Sequence, residues 1–130
     1  MSTKLEDFLG LSDVSEIRDK ITEKIGDKEF EFVIRPITQA EHSEFQKRSN
    51  IIHGKSITFD TGKYNRLALE SCIVEPDFRN TEFLKKAGCA SASEFLNKKF
   101  PAGILADIAQ KIQSLSGFET FEQEIEDAKN

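Results

Sequence analysis

The block E-F-L-N-K-K-F-P-A-G-I-L-A-D-I-A-Q-K-I-Q-S-L-S-G-F, Glu94 to Phe118, decides how the chain is read. It contains a helix start, an apolar stripe and a helix stop. Pro101 suits a first helical position, because the N–H it lacks would have no intrahelical partner there. Ile104, Leu105, Ile108, Ile112 and Leu115 then recur at helical spacing and make one apolar face. Gly117 stands where a left-handed C-cap is needed, and Phe118 follows it, placed to fold back on the last turn. None of these side chains carries chemistry. The block builds a core, so function has to lie in what the fold presents elsewhere.

Upstream of this block, Ser91-Ala92-Ser93-Glu94 reads as a capping box that opens a short helix with Phe95 and Leu96 inward. Asn80 caps another short helix, with Phe83, Leu84 and Ala87 inward and Gly88 at its end. Asp60 caps a longer helix in which Tyr64, Leu67, Ala68 and Ser71 share a face. Ile73 and Val74 are expected to extend that helix to the stop at Glu75-Pro76-Asp77. Short helices joined by capped turns predict a compact bundle over 61–117.

The first half reads differently. Phe30, Phe32 and Ile34 alternate with Glu31, Val33 and Arg35, the pattern of a strand with one buried face. Gly26-Asp27 is a turn signal, and Ile17, Ile21 and Ile25 precede it. A helix over Val14–Lys24 competes, but a single clear strand needs a partner, which favours a β-hairpin over residues 14–37. Pro36 ends its second strand. Thr38-Gln39-Ala40-Glu41 is a capping box for a helix from Gln39 to Ser49, with Phe45 and Ile52 as its thin core face. Residues 50–60 are expected to be a connection that contains His53-Gly54-Lys55-Ser56 and the short alternating run Ile57-Thr58-Phe59. The predicted class is α+β, mostly α: a small antiparallel β-hairpin (about 14–36) packed on a bundle of short helices (38–117). The expected organisation is an amphipathic arm over 1–13, a globular domain over 14–118 and an acidic tail over 119–130.

Both ends carry apolar residues at helical spacing. Leu5, Phe8 and Leu9 suggest a short helix ending near Gly10, either docked on its own domain, the first reading, or reaching a neighbouring subunit. Phe118, Phe121 and Ile125 continue past the last helix among Glu119, Glu122, Glu124, Glu126 and Asp127. That segment either frays in solvent or forms a strip that waits for a partner.

The 130 residues carry a net charge of −5, with lysines and arginines interspersed among the acids. This opposes non-specific binding to nucleic acid, which needs a basic footprint, and adhesion to anionic membranes. No run is apolar and long enough to span a bilayer, and the start has no leader-like apolar region. A cytoplasmic protein is expected, with Cys72 and Cys89 reduced and packed. Eleven Phe and no Trp make Phe the main aromatic packing residue.

A search for chemistry returns nothing. His42 and His53 lack acidic or thiol partners at metal-ligand spacing, and His42 is expected to be solvated. Gly54-Lys55-Ser56 resembles the end of a phosphate-binding loop, but Ser49 stands where the first glycine is required. No catalytic, cofactor-binding or metal-ligating residue is assigned, and no small-molecule substrate is expected.

The chain resembles the XkdN-like tail assembly chaperones of long-tailed phages and prophages. The resemblance rests on the start with Leu5, Phe8 and Leu9, and on Phe32-Val33-Ile34-Arg35-Pro36-Ile37-Thr38 before an acidic helix. It continues through Tyr64-Asn65 to Cys72-Ile73-Val74 with Pro76-Asp77, and through Phe100-Pro101-Ala102-Gly103-Ile104 to Leu115-Ser116-Gly117-Phe118. It implies a non-enzymatic chaperone of the host cytoplasm, absent from the mature virion. Such a protein would coat the tape measure protein, keep it soluble and help recruit tail tube subunits. Leu5, Phe8, Leu9, Phe118, Phe121 and Ile125 are the expected partner contacts. The same segments offer a route to self-association. The alternative is a structural subunit retained in a tail or a related assembly.

Overall fold

The alternation over Phe30–Arg35 demands partner strands, and the chain supplies two. In the computed structural model, which describes residues 4–118, strand β1 (Asp19–Ile25) and strand β2 (Lys28–Ile34) pair antiparallel. Their register sets Ile21 opposite Phe32 and Glu23 opposite Phe30. Gly26 takes φ +65, and Gly is the only residue type found at positive φ among the described residues. Glycine at the first turn position gives the mirror-image turn whose twist matches that of the strands.

The hairpin is shorter than expected at its start. Val14–Glu16 is one turn of 3-10 helix, and Ile17 stays outside the strand. The competing helix over 14–24 does not form. The third strand corrects a second expectation. Ile73 and Val74 do not extend the preceding helix; they form β5 (Ile73–Glu75), antiparallel to β2, in a sheet of order β1-β2-β5. Two β-branched residues favour extended backbone, and the free edge of β2 offers hydrogen bonds to hold it. The Arg35 N–H donates to the Cys72 carbonyl at 2.9 Å just where the chain leaves the helix.

Residues 50–60 are not a bare connection. Strands β3 (Asn50–His53) and β4 (Ser56–Phe59) form a second antiparallel hairpin around Gly54, which takes φ +60. Ile52 therefore belongs to a strand and is exposed; it is not part of a helix core face.

The helices follow their caps. Helix α1 (Gln39–Ser49) opens on the Thr38–Glu41 capping box, the Thr38 hydroxyl accepting from the Glu41 N–H at 3.2 Å. Helix α2 (Thr61–Cys72) is capped by Asp60, α3 (Thr81–Ala87) by Asn80 and α4 (Ala92–Lys99) by Ser91. The box at Ser91 is half-formed, because the Glu94 carboxylate accepts from the Ala90 N–H instead. Helix α5 (Ala102–Leu115) begins one residue after Pro101, which has extended backbone and acts as the cap. At the other end Gly117 takes φ +91. The Gly117 and Phe118 N–H groups donate to Ser114 and Gln113 at 3.1 and 3.0 Å, which gives the last turn its partners.

Helix α2 is the centre, in contact with α1, α4, α5 and β5. Its Leu67, Ala68, Leu69 and Cys72 meet Phe32 and Ile34 of β2 and Ile108, Ala109 and Ile112 of α5 in one core. Each large aliphatic chain buried there contributes about 1.5–3 kcal/mol of transfer free energy. Burial pushes the Cys72 thiol up to about 12, so it packs as a small apolar group; Cys89 is half-buried, and neither forms a disulfide.

The C-terminal end of the α5 block meets the Arg35-Pro36-Ile37-Thr38 stretch in space. The Ile37 N–H donates to Ser116 Oγ at 2.8 Å. Arg35 holds Glu41 with two hydrogen bonds of 2.7 Å, one to each carboxylate oxygen. This fork ties the end of β2 to the first turn of α1.

Candidate functional site: a phenylalanine groove and an exposed arm

The inner face of the β1–β2 hairpin divides into two parts. Near the open ends of the strands, Ile21, Phe32 and Ile34 are buried in the core. Toward the turn, Ile25 and Phe30 reach beyond it and line a groove of about 710 Å³. Between them Glu23 points inward and is almost fully buried; Lys111 of α5 reaches it at 3.0 Å and holds Asp107 at the same distance. Burial pushes the Glu23 carboxyl up, with Asp107 adding to the shift and Lys111 opposing it.

The opposite wall is aromatic. Phe78 follows β5, Phe83 lies on α3, Phe95 on α4, and Phe100 joins α4 to α5. Phe78 stacks on Phe95 at 5.3 Å, and Phe83 meets Phe95 edge-on at 4.8 Å. Phe100 meets Phe78 edge-on at 5.8 Å and lies 6.0 Å from Phe32. Such pairs hold one another in fixed orientations worth about 0.5–1.5 kcal/mol each beyond burial. The floor is thus rigid and apolar. The charged side chains of Glu31, Asp77, Glu82, Lys86 and Lys99 stand at the exposed rim. An apolar floor with a polar rim is the anatomy of a protein-binding surface. The groove's lining contains no His or Cys.

The predicted partner residues lie elsewhere. Leu5–Gly10 is a 3-10 helix with no buried residue. Leu5 and Leu9 are 88% and 86% exposed, and Phe8 and Leu11 are 55% and 70% exposed. The arm is therefore not docked on its own domain, contrary to the first expectation: two turns of 3-10 helix are too short to cover their own apolar side chains. Phe118 is partly exposed. Its ring lies 5.1 Å from His42, whose Nδ1 is 2.6 Å from the Tyr64 hydroxyl. His42 is accordingly half-buried in an aromatic corner and not solvated, because Tyr64 and Phe118 close over the α1 face. Phe121, Ile125 and the acidic tail lie outside the described residues. The arm and Phe118 are separate surfaces, and neither forms part of the groove.

The groove itself was missed in the sequence. Its signal was present in the spacing of Phe78, Phe83, Phe95 and Phe100 across three short elements, an aromatic excess larger than so small a core absorbs. Among the described residues no group of three His, Cys, Asp or Glu side chains forms a metal cluster, and no helix is long and apolar enough to cross a membrane.

The family model of the phage XkdN-like tail assembly chaperone protein matches residues 5–129. The crystal structure of the protein yqbn superposes with a TM-score of 0.63 at 14% identity, covering 92% of this chain and 100% of that one. At that identity the likeness shows a shared fold. No curated protein sequence matches the chain.

Proposed function

The chain belongs to the family of phage XkdN-like tail assembly chaperones, and from that premise we propose that it binds the tape measure protein, keeps it soluble and helps recruit tail tube subunits to it. It acts in the host cytoplasm by binding alone, without catalysis, and leaves before the particle is finished. The observation that carries this reading is the family match over residues 5–129. The exposed apolar arm supports it, since a soluble chain that holds Leu5, Phe8 and Leu9 in water is built to cover them with something else. A helical rod with apolar stripes offers i, i+3, i+7 anchors to such surfaces. Leu5, Phe8, Leu9, Phe118, Phe121 and Ile125 are the proposed contacts.

Co-expression with the tape measure protein tests this. The tape measure protein should be soluble with the wild-type chain and co-purify with it. Replacing Leu5, Phe8 and Leu9 by Ser should reduce recovery roughly tenfold, as loss of anchor residues does. Unchanged recovery for this variant and for the matching Phe118, Phe121 and Ile125 variant would remove these contacts. Mass spectrometry of purified particles addresses the other arm of the proposal: a chain retained in the tail would be a structural subunit.

A further inference from the structure

We infer that Glu23, Asp107 and Lys111 form a proton-operated latch between the β1–β2 hairpin and α5. In mild acid the two carboxyl groups share one proton and bind each other across the seam; at neutral pH that proton leaves and the latch weakens. This concerns the fold alone and does not depend on which client the chain binds.

The strand period places Ile21, Glu23 and Ile25 on one face. Ile21 and Ile25 pack on the core, and Glu23 stands between them, almost fully buried. Directly opposite on β2 is Phe30, which lines the groove, so the latch sets how firmly that wall is held. Few charges face Glu23. On β2, Glu29 and Glu31 pair with Lys24 and Thr22 on the other face of the hairpin. Lys28 shares the inner face at the turn, where it sits over the Phe30 ring at 5.5 Å. Asp19 lies at the far, exposed end of β1. From α5 come Asp107 and Lys111, one helical turn apart, and these are the charged groups that shift Glu23. Lys111 Nζ is 3.0 Å from Glu23 Oε1 and 3.0 Å from Asp107 Oδ2. One ammonium thus serves two carboxyls, which also lie within hydrogen-bonding reach of each other. An ionised carboxylate only accepts, so a hydrogen bond between the two requires one to carry a proton. When both ionise, the lysine balances one charge and the other falls on a pair with a member almost out of water.

The titration directions agree with this geometry. Burial pushes Glu23 up, Asp107 adds to the rise, and Lys111 opposes it. Asp107 is held down, first by its hydrogen bond to Glu23 and then by Lys111. One carboxyl raised beside one lowered is the behaviour of a pair that shares a proton, and the steps belong to the pair. A raised folded pKa adds stability that is lost as pH rises through it, here above the ordinary 4.5 of Glu23. A lowered one adds stability that is lost as pH falls through it, here below the ordinary 3.8 of Asp107. The latch is tightest between the two.

The test uses the full chain and two variants, Glu23→Gln and Asp107→Asn, each a neutral mimic of a protonated acid. Carbon-13 NMR of the wild type follows both carboxyls through a pH titration. Glu23 should titrate above 4.5, and the Asp107 resonance should move in the same step. Glu23 titrating alone below 4.5, as a simple ion pair with Lys111 would, overturns the inference. Denaturant unfolding from about pH 5 to about pH 8 gives the second reading. The midpoint of each variant should rise relative to the wild type as the pH rises, because neither variant loses the shared proton. The readout is the change of that gap with pH, which a fixed packing cost does not alter. A constant gap, or a wild type that gains on the variants as pH rises, overturns the inference. Asp107 is half-exposed, so its variant carries the test even where Glu23→Gln fails to fold.

Discussion

The two hairpins share a turn and little else. β1–β2 and β3–β4 each reverse through a two-residue loop that begins with a glycine at φ near +60, Gly26 in one and Gly54 in the other. Yet β1–β2 buries Ile21, Phe32 and Ile34, while every residue of β3 and β4 is exposed. The difference lies in what reaches them. β1–β2 gains β5 on one edge and α5 beneath, and Lys111 pairs with Glu23, the buried charge of its inner face. β3–β4 stands at the end of α1 with its Phe59 ring near Tyr64. Turn chemistry makes a hairpin; a neighbouring layer makes it part of the core.

The comparison is sharpest under substitution. Phe32→Ala should cost about 3–5 kcal/mol in denaturant unfolding, because Phe32 is 2% exposed at the junction of both sheet and helices. Ile57→Ala in the second hairpin should stay within about 0.5 kcal/mol; equal losses would erase the distinction. The glycines should separate in the same way. Gly26→Ala should lower global stability by about 1–2 kcal/mol, the usual penalty of a left-handed alanine. Gly54→Ala should instead speed amide exchange within residues 50–59 and leave the unfolding midpoint almost unmoved.

A third prediction tests how β2 is tied to α1. The Arg35 guanidinium holds the Glu41 carboxyl below its ordinary value, and burial opposes that shift only in part. A carboxylate with a depressed folded pKa stabilises the fold above its unfolded pKa and loses that contribution as pH falls through the folded value. Glu41→Gln should therefore cost about 1–2 kcal/mol at pH 7, and the gap to the wild type should close as the pH falls below the ordinary value of 4.5. A gap that persists in acid would place the cost in packing and not in charge.

The arm should yield the smallest change of all. Replacing Leu5 and Leu9 with Ser should alter stability by less than about 0.5 kcal/mol, since neither side chain is buried.

The elements with complete local grammar were legible in the sequence. Thr38 and Glu41, Asp60, Asn80 and Gly117 mark helix ends through their own hydrogen bonds, and each did so here. What could not be read depends on non-local partners. Ile73-Val74 becomes a strand only because β2 has a free edge. Glu23 faces inward with Ile21, and its partner Lys111 comes from 88 residues away. The groove is made of phenylalanines that each look like core residues of their own short helix. They enclose a cleft only once α3, α4 and the hairpin are brought together. The match of Ile37 to Ser116 was likewise hidden. It explains why two distant stretches that carried the family resemblance are physically one joint.

Hydrogen exchange of the full chain with and without its tape measure protein tests the central claim most directly. The account predicts slower exchange on complex formation in the arm, Leu5–Leu11, and in the segment from Phe118 onward, with the α2 and α5 core unchanged. A complex that forms while both ends exchange as they do in the free chain would contradict it.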